Sequence, residues 1–526
     1  MRPSTALRAG PLTYASIAAA AVAARLPFLL HADRFFDADE AVEGLMARHV
    51  LTGEHPLFLW GQRYKGVPEV YLTSAIFRVA GPGVIALKAA TLAIFVVFLC
   101  LNFRLLERVF SRGLAWTATA LFIAGPPSLV LWTLSGSAEI VWTMMIGAVL
   151  LLAVEAWRRT ASPRALLVAS AALGFGLWVQ QYILYYVVSL AITAAMVTPG
   201  WRDMLRASVR TRVPAWLRVV LTLLASVAAL YIALGLVAFF TSGFDVRVAG
   251  ARITATHPQK MWWIAGALLS GAAAIGIVSV FRTQLLGPAL AFLVGYSPAL
   301  LGRIGNTGMG SPISRLDFHG LLAALPDMRG VMLPMLLGLS DPQGHRTMIL
   351  PLGLALPALA ALSYWSAWRR RLTPFFHVLP IVALVMFLAS GSYIDAQSYR
   401  YLMPIYAALP VVYAVGIESV WRSSRAAGAA LLIFMLLVFS TQQIGWYLRL
   451  EPNRATAETI ACLDRTGVRT ARAGYWDSYT LTFLANERVI VSPTDGVDRY
   501  PPYSAQTRGA ASLESIQAAC RTDQPR

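Results

Sequence analysis

Apolar segments of roughly 17–25 residues recur along the whole chain, and this pattern restricts the possible folds more than any other feature. A helix rises by about 1.5 Å per residue, so a segment of this length covers the hydrocarbon core of a bilayer. Apolar residues make up 57% of the chain and charged residues only 13%, whereas about 25% is usual in soluble proteins. The sequence therefore predicts an all-α polytopic membrane protein.

The first apolar segment, Leu12–Leu30, resembles a secretory signal peptide as well as a membrane helix. No small-residue cleavage site leads from it into a soluble domain, and further apolar segments follow, so we expect a retained helix. The other predicted single spans are Gly83–Leu101, Gly113–Trp132, Glu139–Ala156, Val219–Phe240, Met261–Val280, Gln284–Leu300, Ile349–Trp368, Phe375–Ala389, Met403–Ile417 and Ala426–Ile444.

Basic residues dominate the charge balance, with 44 Lys and Arg against 26 Asp and Glu. The arginines cluster in short connections between apolar segments, which is the positive-inside signal of cytoplasmic loops. The clusters are Arg158, Arg159 and Arg164; Arg202, Arg206, Arg210, Arg212 and Arg218; Arg369, Arg370 and Arg371; and Arg422 and Arg425. The basic charge thus reports topology and argues against a nucleic-acid partner.

With these clusters in the cytoplasm, the chain crosses the membrane about thirteen times, with its N-terminus inside and its C-terminus outside. The stretch Ala165–Val197 has cytoplasmic arginines at both ends, so it has to cross outward and return. We therefore predict two short helices there, with a break at Gln180 and Gln181.

This topology divides the chain into a transmembrane domain, residues 1–449, and a tail, residues 450–526. The transmembrane domain carries a first external loop over residues 31–82. The less apolar tail predicts a small extracytoplasmic α/β domain with helices near Ala455–Leu463, 476–487 and Leu513–Cys520 and strands near Thr470–Tyr475 and 488–493. Cys462 and Cys520 both lie in this tail, where an oxidising compartment permits a disulfide, although the sequence does not give the Cα separation that a bridge needs. Cys100 lies inside a span and is expected only to pack there.

Three carboxylates, Asp37, Asp39 and Glu40, follow the first span in the stretch FFDADEAVEGLMARHVLTG. Val42, Leu45 and Met46 continue the stretch with helical spacing. One interpretation is structural: an aspartate caps the helix and the other acids form a solvated first turn. One cap does not readily explain three acids beside a membrane, so the alternative is a catalytic site.

The first loop continues with WGQRYKGVPEVYL, in which Arg63, Tyr64, Lys65 and Glu69 surround a Gly-Pro turn. Basic and aromatic residues at this position are typical of an interfacial anchor with snorkelling side chains. The same residues also suit the binding of a phosphate, and both interpretations stay open.

Two later stretches add candidates on the same side of the membrane. Glu139 begins the fourth span, where an acid is either a helix cap or a functional group. Arg400 and Tyr401 lie in SGSYIDAQSYRYLMPIYAALP, between two spans. They are either an interfacial anchor or an anion site, because a guanidinium pairs bidentately with phosphate oxygens.

The order of these motifs resembles the GT-C superfamily of membrane glycosyltransferases. The resemblance rests on the Asp-Glu stretch after the first span, the Tyr, Gly and Pro turn before the second, and YRYLMPIYAALP. GYWDSYTLTFLANERVIVSP in the tail is similar to the end of bacterial members. The nearest group is the family 39-like bacterial enzymes, relatives of protein O-mannosyltransferases and of lipid A aminoarabinose transferase.

The resemblance implies transfer of a sugar from a polyprenyl-phosphate-linked donor to a lipid, glycan or protein acceptor at the outer face of the cell membrane. It assigns the catalytic carboxylate to Asp39, with Glu40 in support and Asp37 as a second candidate. It places Glu139 as a further acid and Arg400 at the lipid phosphate, and it leaves a divalent metal ion open. Many relatives have Glu-Lys-Pro where this chain has Gly66-Val67-Pro68, so Lys65 is the candidate phosphate cation. Where many have a Lys between the fifth and sixth spans, this chain has Gln180 and Gln181.

Three other functions remain possible from the sequence. A transporter or lipid flippase would place ionisable residues near mid-bilayer and often has inverted repeats, whereas the acids here lie at span ends. A glycan polymerase or ligase would be expected to use a large external loop, for which residues 303–346 are the candidate. A non-catalytic scaffold is opposed only by the clustered acids.

Overall fold

A computed structural model describes most of the chain. The described residues are 9–136, 139–200, 203, 213–248, 251–255, 257–281, 285–303, 318–346, 349–390 and 396–522.

The first part of the chain contains two long apolar helices separated by the first loop (residues 31–82). The elements are α1 Pro11–Leu30, α2 Ala38–Leu51, β1 Phe58–Leu59, β2 Gln62–Gly66, α3 Pro68–Ala80, α4 Val84–Val109, α5 Arg112–Ile123 and α6 Pro127–Trp132. Strands β1 and β2 form an antiparallel hairpin. The predicted helix with Val42, Leu45 and Met46 is confirmed as α2, and all three side chains are buried.

The middle of the chain is a series of apolar helices. Its elements are α7 Glu139–Thr160, α8 Pro163–Val179, α9 Ile183–Val197, α10 Ala215–Phe240, β3 Phe244–Val248, β4 Ala251–Ala255, α11 Pro258–Phe281 and α12 Leu286–Arg303. The predicted pair of short helices is confirmed as α8 and α9. The backbone of Gln180 is extended, with φ −165° and ψ 144°, and so ends α8.

The last part of the chain begins with apolar helices and ends in a small mixed unit. The elements are α13 Phe318–Asp327, α14 Leu333–Leu336, α15 Ile349–Arg369, α16 Phe375–Ser390, a 3₁₀ helix Ala396–Ala407, α17 Leu409–Ser423, α18 Arg425–Arg449, α19 Arg454–Thr466, β5 Thr470–Ala473, α20 Tyr475–Leu484, β6 Ile490–Pro493, α21 Pro501–Gln506 and α22 Leu513–Thr522. A π-helical turn over Met328–Met332 joins α13 to α14.

Two predicted spans are not continuous helices. Gly113–Trp132 is broken between α5 and α6 because proline cannot continue the backbone hydrogen bonding, and Pro126 and Pro127 stand at the break. The predicted Met403–Ile417 span begins as a 3₁₀ helix containing Pro404 and bends by 46° before α17.

Arg25 of α1 is fully buried against the break between α5 and α6. Its guanidinium donates to the carbonyl oxygens of Ile123 at 2.5 Å and Phe122 at 3.3 Å, and to the Thr133 hydroxyl at 3.1 Å. The last carbonyls of a helix lack intrahelical partners and carry partial negative charge. Arg25 of a neighbouring helix thus donates hydrogen bonds to carbonyl groups at the end of α5 that have no backbone N–H partner because the prolines interrupt the helix.

Five of the described helices are long and apolar enough to cross a membrane, or six if the bent pair around Ala408 counts as one span. Shorter apolar helices, among them α8, α9, α12 and α16, complete the apolar part of the described chain. The chain is a multi-pass membrane protein, and the number of about thirteen crossings remains a prediction.

Helices α8 and α12 approach each other so closely that both need glycine. A Cβ on Gly174 would collide with the carbonyl oxygen of Phe292, and one on Gly295 with that of Ala171. Small residues are the usual means by which membrane helices bring their backbones together. Sequence periodicity does not reveal this contact, because it depends on which helices are neighbours.

We expect Gly295→Leu to separate α8 from α12 and to reduce the free energy of unfolding by about 1–3 kcal/mol. Thermal unfolding in detergent, followed by size-exclusion chromatography, measures the loss. Gly266→Leu in α11 is the matched control, because a Cβ there has no atom within 4 Å. Equal stability of the two variants would contradict the close crossing.

The C-terminal segment (residues 450–522) contains the predicted helices and strands in the predicted order, and one further helix, α21, that was not predicted. β5 and β6 pair in parallel, with Thr470 opposite Ile490. A disulfide joins Cys462 of α19 to Cys520 of α22, whose Cα atoms are 6.1 Å apart, so the structure resolves the question that the sequence left open.

The C-terminal segment shares a hydrophobic core with the first loop. Tyr475, Tyr479 and Phe483 of α20 pack in one cluster with residues of α2, including Val42 and Leu45. The Phe483 ring lies 5.3 Å from that of Phe36, between ring centroids. This packing brings side chains of the C-terminal segment to the beginning of α2, and the division of the chain at residue 450 remains a prediction.

Candidate functional site

The beginning of α2 carries the three carboxylates that follow the first span. Asp37 is the N-cap residue, and its carboxylate accepts a hydrogen bond from the backbone N–H of Glu40 at 3.0 Å. The capping interpretation is therefore confirmed for Asp37. The interpretation of the other acids as a solvated turn is wrong for Glu40, which is buried.

Asp39 is partly exposed and lies among three side chains from distant parts of the chain. The Tyr475 hydroxyl donates to Asp39 Oδ1 at 2.5 Å. Arg400 Nη1 lies 3.7 Å from Asp39 Oδ2, and Arg499 Nη2 lies 3.9 Å from Oδ1. The two predicted candidates Asp39 and Arg400 thus lie together, and two residues of the C-terminal segment lie beside them.

Arg499 was not singled out from the sequence, yet it joins the C-terminal segment to the β1–β2 hairpin. With the carboxamide of Gln62 oriented so that its oxygen faces the guanidinium, this oxygen accepts from Arg499 Nη1 at 2.7 Å and from Nη2 at 2.8 Å. The same oxygen accepts from the Tyr64 hydroxyl at 3.2 Å. The backbone N–H of Arg499 donates to the Tyr479 hydroxyl at 2.6 Å, so both ends of the residue are held.

Glu40 points away from Asp39 into a buried ion pair. Lys88 of α4 donates to both Glu40 oxygens, at 2.7 and 2.6 Å, and the Gly136 N–H donates to Oε2 at 3.0 Å. Lys88 also lies 4.2 Å from the centroid of the Phe35 ring. The pair ties the first loop to α4 and to the chain before α7, and neither partner reaches solvent.

Lys65 lies between two carboxylates rather than in a membrane-surface belt. Its Nζ is 2.9 Å from Glu43 Oε1 and 2.7 Å from Glu139 Oε2. The interpretation of Lys65 as a snorkelling anchor is wrong, since the side chain is buried. Its charge is already balanced, so it is not a free cation for a phosphate.

Glu43 was also missed, although it follows Asp39 by one helical turn and the spacing could have revealed it. Its Oε2 is buried and accepts no hydrogen bond. Burial raises the pKa of Glu43 to about 7, against the opposing effect of Lys65.

Glu69, in the first turn of α3, is buried between two hydrogen-bond donors. The Thr91 hydroxyl donates to Oε1 at 2.7 Å and the Trp142 indole N–H to Oε2 at 2.6 Å. Burial, and next the Glu43 carboxylate, raise the pKa of Glu69 to about 8. Glu69 thus joins α3 to α4 and α7 instead of contacting Asp39.

The hairpin approaches α8 closely next to Lys65. A Cβ on Gly66 would lie 2.6 Å from the carbonyl oxygen of Trp178. Glycine at this position therefore lets β2 pack directly on α8. The side chain of Arg63 lies outside the described part of the structure.

Arg400 is partly exposed and contacts an aromatic group as well as Asp39. Its Nη2 donates to the Tyr401 hydroxyl at 3.3 Å. Burial lowers the pKa of Arg400, but Tyr401 and the carboxylates of Asp39 and Glu139 outweigh it and keep the pKa above its ordinary value. Arg400 therefore stays charged, and the carboxylates of Asp39 and Glu139 both interact with it electrostatically.

In the described part of the chain, no group of three or more His, Cys, Asp or Glu side chains is arranged to hold a metal ion. Guanidinium groups face both oxygens of Asp39, and an ammonium group faces those of Glu40. A divalent cation prefers several carboxylate or carbonyl oxygens. The residues around Asp39 thus fit an anion better than a metal ion.

A cavity of about 210 Å³ lies beside the hairpin. Its lining includes Phe58 and Tyr64 of the hairpin, Trp178 of α8, Trp263 of α11 and Tyr296 of α12. Tyr64 also donates to Gln62, a partner of Arg499. Tyr64 therefore links the cavity lining, through Gln62, to the Arg499 guanidinium that lies 3.9 Å from Asp39.

Neither a family model nor a curated protein matches the sequence. Among solved structures, ArnT from Cupriavidus metallidurans bound to undecaprenyl phosphate is similar, with a TM-score of 0.52 and 12% identity over 96% of this chain and 91% of that one.

An oligosaccharyltransferase of Archaeoglobus fulgidus in complex with Zn and sulfate has a TM-score of 0.47 and 14% identity, and the match covers 91% of this chain. It covers 62% of the archaeal enzyme, so this chain spans about three fifths of its length. The apolar helices and the similarity to ArnT identify the architecture: the chain shares the membrane fold of the ArnT structure.

Proposed function

We propose that this protein is a glycosyltransferase that moves a sugar from a polyprenyl-phosphate-linked donor to an acceptor on the extracytoplasmic face of the cell membrane. The observation that carries the proposal is the cluster around Asp39, where one carboxylate and two guanidinium groups from distant parts of the chain meet. The solved ArnT structure is bound to undecaprenyl phosphate, which supports a polyprenyl carrier for this chain.

The topology is part of the proposal. We infer about thirteen crossings, a cytoplasmic N-terminus, and a first loop and C-terminal segment that are extracytoplasmic. The domain boundary at residue 450 belongs to the same proposal. A donor with a prenyl chain dissolves in the bilayer, so its reactive phosphate lies at the membrane–water boundary, where we place the cluster around Asp39.

In the proposed mechanism Asp39 is the general base. Its carboxylate accepts the proton of the acceptor hydroxyl as that oxygen attacks the anomeric carbon. The bond from that carbon to the phosphate oxygen breaks, and the leaving phosphate gains negative charge. Arg400 stabilises this charge electrostatically, and Tyr401 holds the Arg400 guanidinium in place.

The remaining acids position these groups. Glu40 fixes the beginning of α2 through Lys88. Glu43 and Glu139 share Lys65 and so join α2, the hairpin and α7. Glu69 anchors α3, and Tyr64 lies between the cavity and Gln62. We assign Asp37 to the N-cap and keep it as the second candidate for the base.

Purified protein in proteoliposomes, supplied with a labelled polyprenyl-phosphate sugar, tests the proposal. The acceptor is first identified by mass spectrometry of glycolipids, glycans and glycoproteins from cells with and without the gene. Transfer of label to the acceptor supports a transferase. Movement of the intact labelled lipid across the bilayer without transfer would instead indicate a flippase, and extension of a glycan chain would indicate a polymerase.

Arg400→Ala is expected to weaken engagement of the donor about 10- to 100-fold in KM, because hydrogen bonds to a charged group are worth about 1.5–3 kcal/mol. Initial rates at varied donor concentration measure the effect. Arg422→Ala is the control, since Arg422 is an exposed arginine paired to Glu418 one turn away. An unchanged KM for the donor would remove Arg400 from the phosphate site.

A further inference from the structure

The C-terminal segment places two side chains, Tyr475 and Arg499, against Asp39. Tyr475 is the first residue of α20, and its backbone N–H donates to Asp495 Oδ2 at 2.7 Å. Its ring packs at 5.4 Å from that of Tyr479, between centroids, and the residue is 6% exposed. The hydroxyl is therefore held in one place, against Asp39.

The Tyr475 hydroxyl makes the shortest contact to Asp39, at 2.5 Å, while the two arginines stay at 3.7 and 3.9 Å. It occupies Oδ1 and leaves Oδ2 on the side of Arg400. A carboxylate with one oxygen fixed in this way presents the other in a single direction. An exposed aspartate without such a bond would rotate between several orientations.

Arg499 supports the same arrangement from the side of the hairpin. Its Nε lies 3.4 Å from the Tyr475 hydroxyl oxygen, and its terminal nitrogens bind Gln62. Gly61 has φ +68°, and a Cβ there would lie 3.1 Å from Arg499 Cδ. The hairpin, α2 and the C-terminal segment thus meet at this one guanidinium.

We propose that Tyr475 is a positioning residue of the proposed transfer reaction: it fixes the Asp39 carboxylate so that Oδ2 faces the acceptor hydroxyl, and Arg499 holds Tyr475 in place. The C-terminal segment is then part of the catalytic pocket and not a separate acceptor-binding appendage. This inference rests on the proposed role of Asp39 as the base.

The pH profile of activity is a readout of this hydrogen bond, because a donor that binds an ionised carboxylate favours the ionised over the protonated form. The charged groups around Asp39 are Arg400, Arg499 and Lys88 from other elements, and Asp37 and Glu40 at its own helix end. All of these remain in a variant that lacks only the Tyr475 hydroxyl.

Tyr475→Phe is expected to lower kcat about 10- to 100-fold, in proportion to the loss of a charge-assisted hydrogen bond. The KM for the donor should stay within about twofold, because the phenylalanine leaves Arg400 in place. The acidic limb of the kcat/KM profile should move to higher pH by about one unit.

Tyr503→Phe is the matched control. Tyr503 is equally buried in the same segment, and its hydroxyl donates to Glu487 at 2.6 Å, remote from Asp39. Tyr503→Phe also removes a buried hydroxyl from the core that the C-terminal segment shares with the first loop. If loss of a hydroxyl merely weakens this packing, the effect appears in both variants. We expect its acidic limb and kcat to match the unsubstituted protein.

A second measurement keeps the test valid if Tyr475→Phe folds poorly. Incorporation of 3-fluorotyrosine at position 475 keeps the ring and makes the phenol a stronger donor, so the acidic limb should move to lower pH. Shifts in opposite directions for the two substitutions support the inference. An acidic limb that moves in neither variant, or equally in Tyr503→Phe, overturns it.

The two proposals fail in different ways. If Asp39→Asn retains transfer, the proposed base is wrong, whatever Tyr475→Phe does. If Asp39→Asn is inactive while Tyr475→Phe has the unsubstituted protein's kcat and pH profile, the proposed function stands and the role of Tyr475 is refuted.

Discussion

Asp39→Asn is expected to abolish sugar transfer without reducing the yield of folded protein. The amide cannot accept the proton of the acceptor hydroxyl, and loss of a general base alone costs about 10²- to 10⁴-fold in rate. The Asn side-chain oxygen can still accept the hydrogen bond from Tyr475, so the local packing should persist. Initial rates with labelled donor, together with thermal unfolding in detergent, measure both quantities.

Asp37→Asn is the control for this variant. Asp37 is the N-cap of α2, and Asn caps a helix about as well as Asp, so stability should be retained. We expect this variant to keep most of its activity. Loss of activity in Asp37→Asn with retention in Asp39→Asn would transfer the role of base to Asp37, and full activity in both would end the assignment.

Lys88→Met is expected to have the largest effect on stability. It leaves the Glu40 carboxylate without its counterion in a fully buried place, and removal of one partner from a buried ion pair costs about 3–5 kcal/mol. Thermal unfolding and the yield of monodisperse protein measure the loss. Arg488→Met is the control, because its pair with Asp464 is largely exposed and such pairs contribute about 0–1 kcal/mol.

The double variant Lys88→Met with Glu40→Leu separates stability from positioning. Replacement of a whole buried pair by apolar side chains is often neutral. The double variant should therefore regain most of the free energy of unfolding that Lys88→Met loses. Activity should stay low, because α2 is then no longer tied to α4 and Gly136 by a directional contact. Recovery of both stability and activity would show that Glu40 has no part in arranging Asp39.

The sequence by itself determined the membrane class, because apolar length and arginine clustering are local properties of the chain. It also predicted the helix that contains Val42, Leu45 and Met46, the break at Gln180, and the order of the predicted helices and strands in the C-terminal segment. In each case a short stretch contains its own signal: helical spacing, a pair of polar residues in an apolar run, or alternation of helix-like and strand-like segments. The prediction of Gly113–Trp132 as one continuous helix was wrong, because Pro126 and Pro127 divide α5 from α6.

Only the tertiary structure decided which charged groups meet. Tyr475 and Asp39 are 436 positions apart, and no local pattern relates them. Their contact follows from the packing of α20 on α2, which depends on shape across a shared apolar core. The same holds for Lys88. In the sequence it is a single charged residue in an apolar helix, and only the tertiary structure shows that Glu40 is its partner.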